Sequence, residues 1–292
     1  MKKLKWITKT NTMPIIHENI SKEGVPYLTF PILEKYGVKH GFSTRLGGVS
    51  EGDCSSMNLS FHRGDNRSDV MENHRLFAGA VGYNEKNLVL SDQIHDTVIR
   101  RVDASDCGKG IIRDSDIIGV DGLMTDDENV VLMTFFADCV PLFFYDKKNR
   151  SIAASHSGWR GTVARMGEVT VEHMREEFGT VPEDIVAVIG PSICRLCYEV
   201  SEDVAEDFMK EFKKIQWSEL LSQSEKQKEE NKYQLDLWRA NEIVLREAGI
   251  PEEQIQTSNV CTCCNPEILF SHRASHGKRG NLAGVITLGG IR

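Results

Sequence analysis

The sequence has no apolar run long enough to cross a bilayer as a helix. Its first residues, MKKLKWITKTNTM, are basic, but no hydrophobic segment follows them, so they do not read as a secretory signal. Positive charge is in short supply. Against 43 acidic side chains stand 35 basic ones, for a formal net charge of −8. A general nucleic-acid or anionic-membrane binder needs a basic surface, so both classes are set aside. A small anion held by a few arginines is not excluded. The sequence contains neither a Walker A loop nor a GxGxxG fingerprint, which argues against NTP hydrolysis and nicotinamide chemistry. It lacks HxE and PCxxC, the zinc-deaminase signature. It also lacks any HxH pair, of the kind multicopper sites use.

What remains is an ordinary globular composition, 40% hydrophobic and 27% charged over 292 residues, enough for a large core. A cytoplasmic setting is the expectation, and there the eight cysteines stay reduced. Clustered with histidines, they point to metal binding or nucleophilic chemistry.

No repeat and no clear linker divides the chain, which reads as a single domain over 1–292. Short strands are predicted near the N-terminus and over 38–43, followed by a Gly/Ser-rich loop, RLGGVSEGDCSS. Helical spacing runs over 68–82, with Val70, His74, Phe77 and Val81 on related faces. Strands at 87–90 and 97–102 flank the loop SDQIHD. The strongest strand signal is VVLMTFFADCVPLFFY, residues 130–145, too apolar for a surface. SIAASHS returns as its neighbour. Helices are predicted over 162–178, 200–212 and 235–248, and a strand over 184–189. Residues 213–234 read as a solvated excursion, and a last strand pair brackets FSHRASHGKRGN. The elements lack a regular βαβ rhythm, which implies one mixed α/β domain with helices outside strands.

Three segments place a metal-capable side chain at the end of an apolar strand: DQIHD with His95, ADCVPL with Cys139 and SHSGWRG with His156. One thiolate and two imidazoles make a plausible zinc shell with an open fourth position, as in catalytic sites. The same residues also fit satisfied core histidines beside a small hydrophobic cysteine. They fit equally a Cys139 nucleophile with His156 or His95 as base and Asp138 or Asp121 as its orienter. Arg45, beside the glycine pair in STRLGG, and Arg160, before a helix in GWRGT, are candidate anion contacts. A second set, Cys194 and Cys197 in CRLC with Cys261, Cys263 and Cys264 in CTCC, could hold a structural zinc, form a redox pair or remain buried thiols. CxCC departs from the spacing of zinc ribbons. His272 and His276 in SHRASH read as a basic rim.

FSTRLGGVS, QIH, ADCVPL, SHSGWRGT, GPSICRLCYEV and FSHR, in this order, resemble the laccase-domain proteins, the YlmD/YfiH-like family. The likeness extends from about Gly37 onward. Its pattern near the C-terminus is FFSYRRD, where this chain has His272 in place of the tyrosine and Ala274 in place of the second arginine. The resemblance implies a four-layer αββα sandwich with mixed β-sheets and zinc ligands at His95, Cys139 and His156. It implies a purine nucleoside phosphorylase that also deaminates adenosine, with purine nucleosides and phosphate as ligands. On that reading Cys139, His95, His156 and Asp138 are catalytic, and Arg45, Arg160 and Asp121 contact substrate. The older family name implies copper and phenol oxidation instead. Nine histidines without an HxH pair speak against that, although copper could occupy the same three ligands.

Overall fold

The computed structural model describes residues 4–10, 12–224 and 231–289. In chain order the strands are β1 (His17–Ile20), β2 (Pro26–Thr29), β3 (Lys39–Ser43), β4 (Leu88–Leu90), β5 (Ile99–Arg101), β6 (Gly122–Thr125), β7 (Val131–Phe136) and β8 (Val140–Asp146). They continue with β9 (Ser151–Ser157), β10 (Ile185–Ile189), β11 (Glu199–Val200), β12 (Leu221–Gln223), β13 (Tyr233–Leu235), β14 (Ile255–Thr257) and β15 (Leu282–Thr287). The α-helices are α1 (Pro31–Glu34), α2 (Arg67–Val81), α3 (Trp159–Val163), α4 (Met166–Phe178), α5 (Glu202–Glu211), α6 (Trp217–Leu220) and α7 (Leu237–Glu247).

Two six-stranded sheets carry the molecule, ordered β1-β2-β3-β15-β7-β4 and β14-β10-β8-β9-β6-β5. Both are mixed. Their centres are antiparallel, while β4 on β7, β5 on β6 and β14 on β10 pair in parallel. Strand alternation assigns the layers. Phe143, Tyr145, Ile152, Val186 and Val188 of the second sheet meet Leu132, Phe136, Leu282 and Ile286 of the first, forming the core between the sheets. The intervening residues Val140, Leu142, Phe144, Ile185 and Ala187 face the other way, onto Met166, Val171 and Met174 of α4 and Val244 of α7. On the outer face of the first sheet, Val131, Met133 and Val285 pack with Phe77 of α2. The result is a four-layer αββα sandwich. It explains why residues 130–145 lack polar alternation: β7 and β8 are buried on both faces. Each buried phenylalanine there stabilises the fold by roughly 1.5–3 kcal/mol.

The structure departs from the sequence expectations in three places. The helix expected over 162–178 is two helices, α3 and α4, separated at Arg165, whose backbone is left-handed at φ 58°. Such a backbone costs roughly 1–2 kcal/mol at a non-glycine residue. The Arg165 side chain offsets this by reaching Glu168, Glu211 at 3.2 Å and Glu247 at 2.8 Å. Residues 213–224 and 231–234 are not merely a solvated excursion. They contribute α6, β12 and β13, and β13 joins β11 and β12 in a small three-stranded sheet. The remainder of that expected segment, 225–230, lies outside the described residues. Finally, the last two strands, β14 and β15, stand on either side of the loop FSHRASHGKRGN but lie in different sheets and do not pair. Residues 258–270 upstream form turns, pinned by Asn265, which accepts from Ile7 N and donates to Ile7 O.

Candidate metal centre

The β8–β9 hairpin sets Pro141 against His156 and Val140 against Ser157. Cys139, one residue before β8, therefore lies beside the end of β9, where His156 is buried and Gly158 opens the turn into α3. The tight turn between β7 and β8 puts Asp138 at φ 88°. Its carboxylate accepts from Thr262 Oγ1 and from Arg273 N, both at 2.6 Å, and its carbonyl accepts from Ile193 N at 3.0 Å. Both side-chain oxygens of Asp138 are thus engaged by the chain itself, and Asp138 fixes the turn that presents Cys139.

His95 arrives from the loop between β4 and β5 with its own backbone at φ 69°. Two side chains hold that loop. Gln93 exchanges hydrogen bonds with both backbone groups of Phe135, each at 2.8 Å. Asp121, wholly buried, accepts from Ile94 N, His95 N and Asp96 N at 2.9 to 3.0 Å. The same carboxylate takes His156 Nδ1–H at 2.8 Å, which leaves Nε2 as the ring atom that could serve a metal once it loses its proton.

The ligand atoms of His95, Cys139 and His156 all lie within 4.8 Å of one another, and the two imidazoles meet edge to face at 4.8 Å between centroids. A Cβ built on Gly158 would stand 3.1 Å from the His95 ring and 3.2 Å from Cys139 Sγ, so this glycine keeps the cradle open. Burial disfavours the Cys139 thiolate, but His156 and then His95 outweigh it and bring the thiol down to about 6. Burial likewise disfavours charge on His156; the Cys139 thiolate and Asp121 override it and raise the imidazole to about 9. One sulfur and two nitrogens, preorganised with a fourth direction open, suit zinc and also copper.

A cavity of about 340 Å³ opens on this group. Its wall includes His62, Arg63, Asp92, Phe135, Arg279 and Asn281 along with the three ligand residues. Arg63 and Arg279 were not among the residues singled out from sequence, though each stands in an Arg-Gly pair in a polar loop. The two are 216 residues apart, and Arg63 Nε reaches Arg279 O at 3.2 Å. Arg279 Nε is buried without a hydrogen-bond partner. Burial, and next Arg63, push the Arg279 guanidinium down to about 10. The expected anion contacts lie elsewhere. Arg45 spends its guanidinium on Ser55 O and Pro266 O and rests over the Phe270 ring. Arg160 is exposed, stacked at 4.3 Å on Trp159, and does not line the cavity. Asp121 is enclosed behind the histidines, so its contacts are with them and not with the cavity.

The family model described as "Multi-copper polyphenol oxidoreductase laccase" matches residues 39–289. This chain belongs to that family. It is 37% identical over 247 residues to "Purine nucleoside phosphorylase YlmD" of Bacillus subtilis, covering 84% of this chain and 87% of the relative. It is 36% identical to a "Purine nucleoside phosphorylase" of Bacteroides thetaiotaomicron, covering 89% and 95%. Among solved structures, YlmD from Geobacillus stearothermophilus superposes with a TM-score of 0.85 at 32% identity, over 94% of this chain and 99% of that one. The family's fold and the one described here are therefore the same. No helix among the described residues is long and apolar enough to cross a membrane.

Proposed function

We propose that the chain is a purine nucleoside phosphorylase. It cleaves adenosine or inosine with phosphate to the free base and ribose 1-phosphate, cleaves methylthioadenosine to adenine and methylthioribose 1-phosphate, and also deaminates adenosine. Its active centre is the cavity at His95, Cys139 and His156, with zinc as the metal they hold. The observation that carries this reading is the pair Arg63 and Arg279. Two neighbouring arginines border the same cavity as the metal ligands: Arg63, whose Nε and one Nη also donate to Arg279 O and Gly277 O, and Arg279, whose Nε is buried without a partner. A phosphate placed there would relieve the repulsion between the two cations. Relatives named as phosphorylases agree with it.

The chain's residues divide the work. Arg63 and Arg279 bind phosphate and hold it against the anomeric carbon, replacing Arg45 and Arg160 in that role. A neighbouring cavity of about 400 Å³ shares His62, Ser91, Asp92 and Phe135 with the first, and its Phe61 and Ile117 offer the apolar walls a purine needs. Asp121 keeps His156 in one tautomer and His95 in place. Asp138 keeps Cys139 in place. Bound zinc would supply Lewis acidity at the cavity wall.

A second reading has one specific observation in its favour. Cys139, His156 and Asp121 form a nucleophile, base and orienter in series, the arrangement of a metal-free cysteine hydrolase. The copper-oxidase reading is weaker. Among the described residues, histidines meet in one potential metal group only, too few for a multicopper centre.

Chromatography of adenosine incubations, with and without phosphate and beside Cys139→Ala, separates these readings. Adenine that requires phosphate and disappears in the variant supports the phosphorylase. Inosine formed without phosphate supports the deaminase. Turnover that survives metal removal but not alkylation of Cys139 supports the hydrolase, and no product from any purine nucleoside overturns the proposal.

A further inference from the structure

Away from the cavity, four cysteines converge from two turns. The Sγ atoms of Cys194, Cys197, Cys261 and Cys264 all lie within 4.8 Å of one another. Cys194 to Cys264 measures 4.0 Å and Cys197 to Cys264 measures 3.5 Å. A disulfide needs about 2.05 Å, and all eight cysteines are free. A tetrahedral zinc with Zn–S bonds of about 2.3 Å needs sulfurs about 3.8 Å apart, which these two separations bracket. The pattern also becomes regular once the participants are known. Cys263 is not one of the four, so CTCC supplies Cys261-x-x-Cys264 and matches Cys194-x-x-Cys197. Two CxxC turns facing each other form a paired knuckle.

Several donors at the cluster point at sulfur as an acceptor. Cys261 Sγ accepts two backbone N–H groups, from Cys194 at 3.2 Å and from Cys264 at 3.4 Å. Lys9 Nζ approaches Cys197 Sγ at 3.5 Å. Three of the four side chains are buried, and four sulfurs are enough to fill a tetrahedral shell. A closed set of four is the mark of a structural site.

We propose that Cys194, Cys197, Cys261 and Cys264 bind a structural zinc ion, a metal site separate from His95, Cys139 and His156. Binding converts the four thiols to thiolates and releases their protons to solvent. Four thiolates and one Zn²⁺ leave a net charge of −2, which Lys9 and the two N–H groups partly offset. The ion ties the turn after β10 to the turn after β14. Both turns brace Asp138: Ile193, next to Cys194, donates to its carbonyl, and Thr262, next to Cys261, donates to its carboxylate. The structural ion therefore steadies the turn that carries Cys139.

The test uses the full-length chain with both histidine ligands of the other site removed, as a His95→Ala/His156→Ala variant. The expected result is one tightly held zinc per chain. Replacing it with Co²⁺ should give the intense thiolate-to-cobalt charge transfer and the visible bands of a tetrahedral four-sulfur site. In an otherwise unchanged chain, Cys194→Ser/Cys261→Ser should lose one zinc equivalent. If that variant does not fold, the histidine variant still decides the matter. A histidine variant that holds no zinc overturns the proposal, as does a cobalt spectrum with fewer than four sulfurs. So does a thiol count, in denatured unreduced protein, that falls short by a disulfide. None of these readouts depends on nucleoside turnover, so failure of the phosphorylase reading would leave them unaffected.

Discussion

Asp121 accepts a hydrogen bond from His156 Nδ1 at 2.8 Å and, with the same carboxylate, from the backbone N–H of His95 at 3.0 Å. One buried acid thus positions two of the three candidate metal ligands, one on the loop between β4 and β5 and the other at the end of β9. Burial alone would raise its pKa, but His156 and the N–H groups of Asp96 and Ile94 keep it lowered.

Asp121→Asn should weaken metal binding without touching a ligand. The amide can accept one set of these bonds but turns its NH₂ toward donors that already point inward. Loss of such a carboxylate typically costs about 10–100-fold in metal affinity. Competition with a chelating dye measures it, and unchanged affinity would contradict the role given to Asp121.

Arg279→Met should raise the KM for phosphate and lower kcat/KM by roughly 10- to 100-fold, the value of a charge-assisted hydrogen bond. Any phosphate-independent deamination should change far less. Arg45→Met should leave the phosphate KM near that of the unaltered chain, because its donors serve backbone carbonyls.

In metal-free protein, Cys139 should remain open to alkylation in mildly acidic solution. A thiol lowered to about 6 is mostly thiolate at pH 7, whereas an ordinary thiol near 8.5 is mostly protonated there. Iodoacetamide labelling followed by peptide mass mapping should show Cys139 reacting faster than the buried Cys54, whose thiol burial pushes up. Its rate should fall only as pH drops through about 6, and added zinc should protect it.

Two histidines outside the site set an acid limit on stability. His40 accepts Phe30 N–H at Nε2 and bonds to Val38 O through Nδ1, so its ring is satisfied only when neutral. His74 is fully buried against Phe61, with Nε2 on Leu59 O. Burial brings both down to about 4. The unfolded chain binds these protons near pH 6.5 and the folded chain near 4, so stability is complete above the first value and is lost on the way to the second. The slope is about 1.4 kcal/mol per pH unit for each ring. Urea unfolding between pH 7 and 5 should show this loss, and His74→Leu should show a shallower slope.

The fold was legible where local pattern and burial agree. The apolar stretches 130–145 and 184–189 read as strands because both their faces are covered. The pattern could not show the break at Arg165, whose left-handed backbone depends on carboxylates up to 82 residues away. Nor could it show β13, which exists by pairing with β11 and β12. At the site, His95, Cys139 and His156 stood out because each ends an apolar strand segment, and the resemblance supplied their role. Arg63 and Arg279 did not, because only the folded chain brings the start of β15 beside the Asn58 turn, where Asn281 N donates to Asn58 Oδ1. Arg45 looked like an anion contact because a turn arginine is ambiguous until its partners are known. The zinc-like spacing of the second cysteine set was hidden by Cys263, a third cysteine inside the turn.

The central claim is that phosphate enters the product at the cavity shared by Arg279 and Cys139. Phosphorus NMR of inorganic phosphate incubated with inosine and the zinc-loaded protein tests it most directly. The account predicts a ribose 1-phosphate signal that grows with hypoxanthine in equal amount and is absent with Cys139→Ala. Hypoxanthine released while all the phosphorus stays inorganic would contradict it.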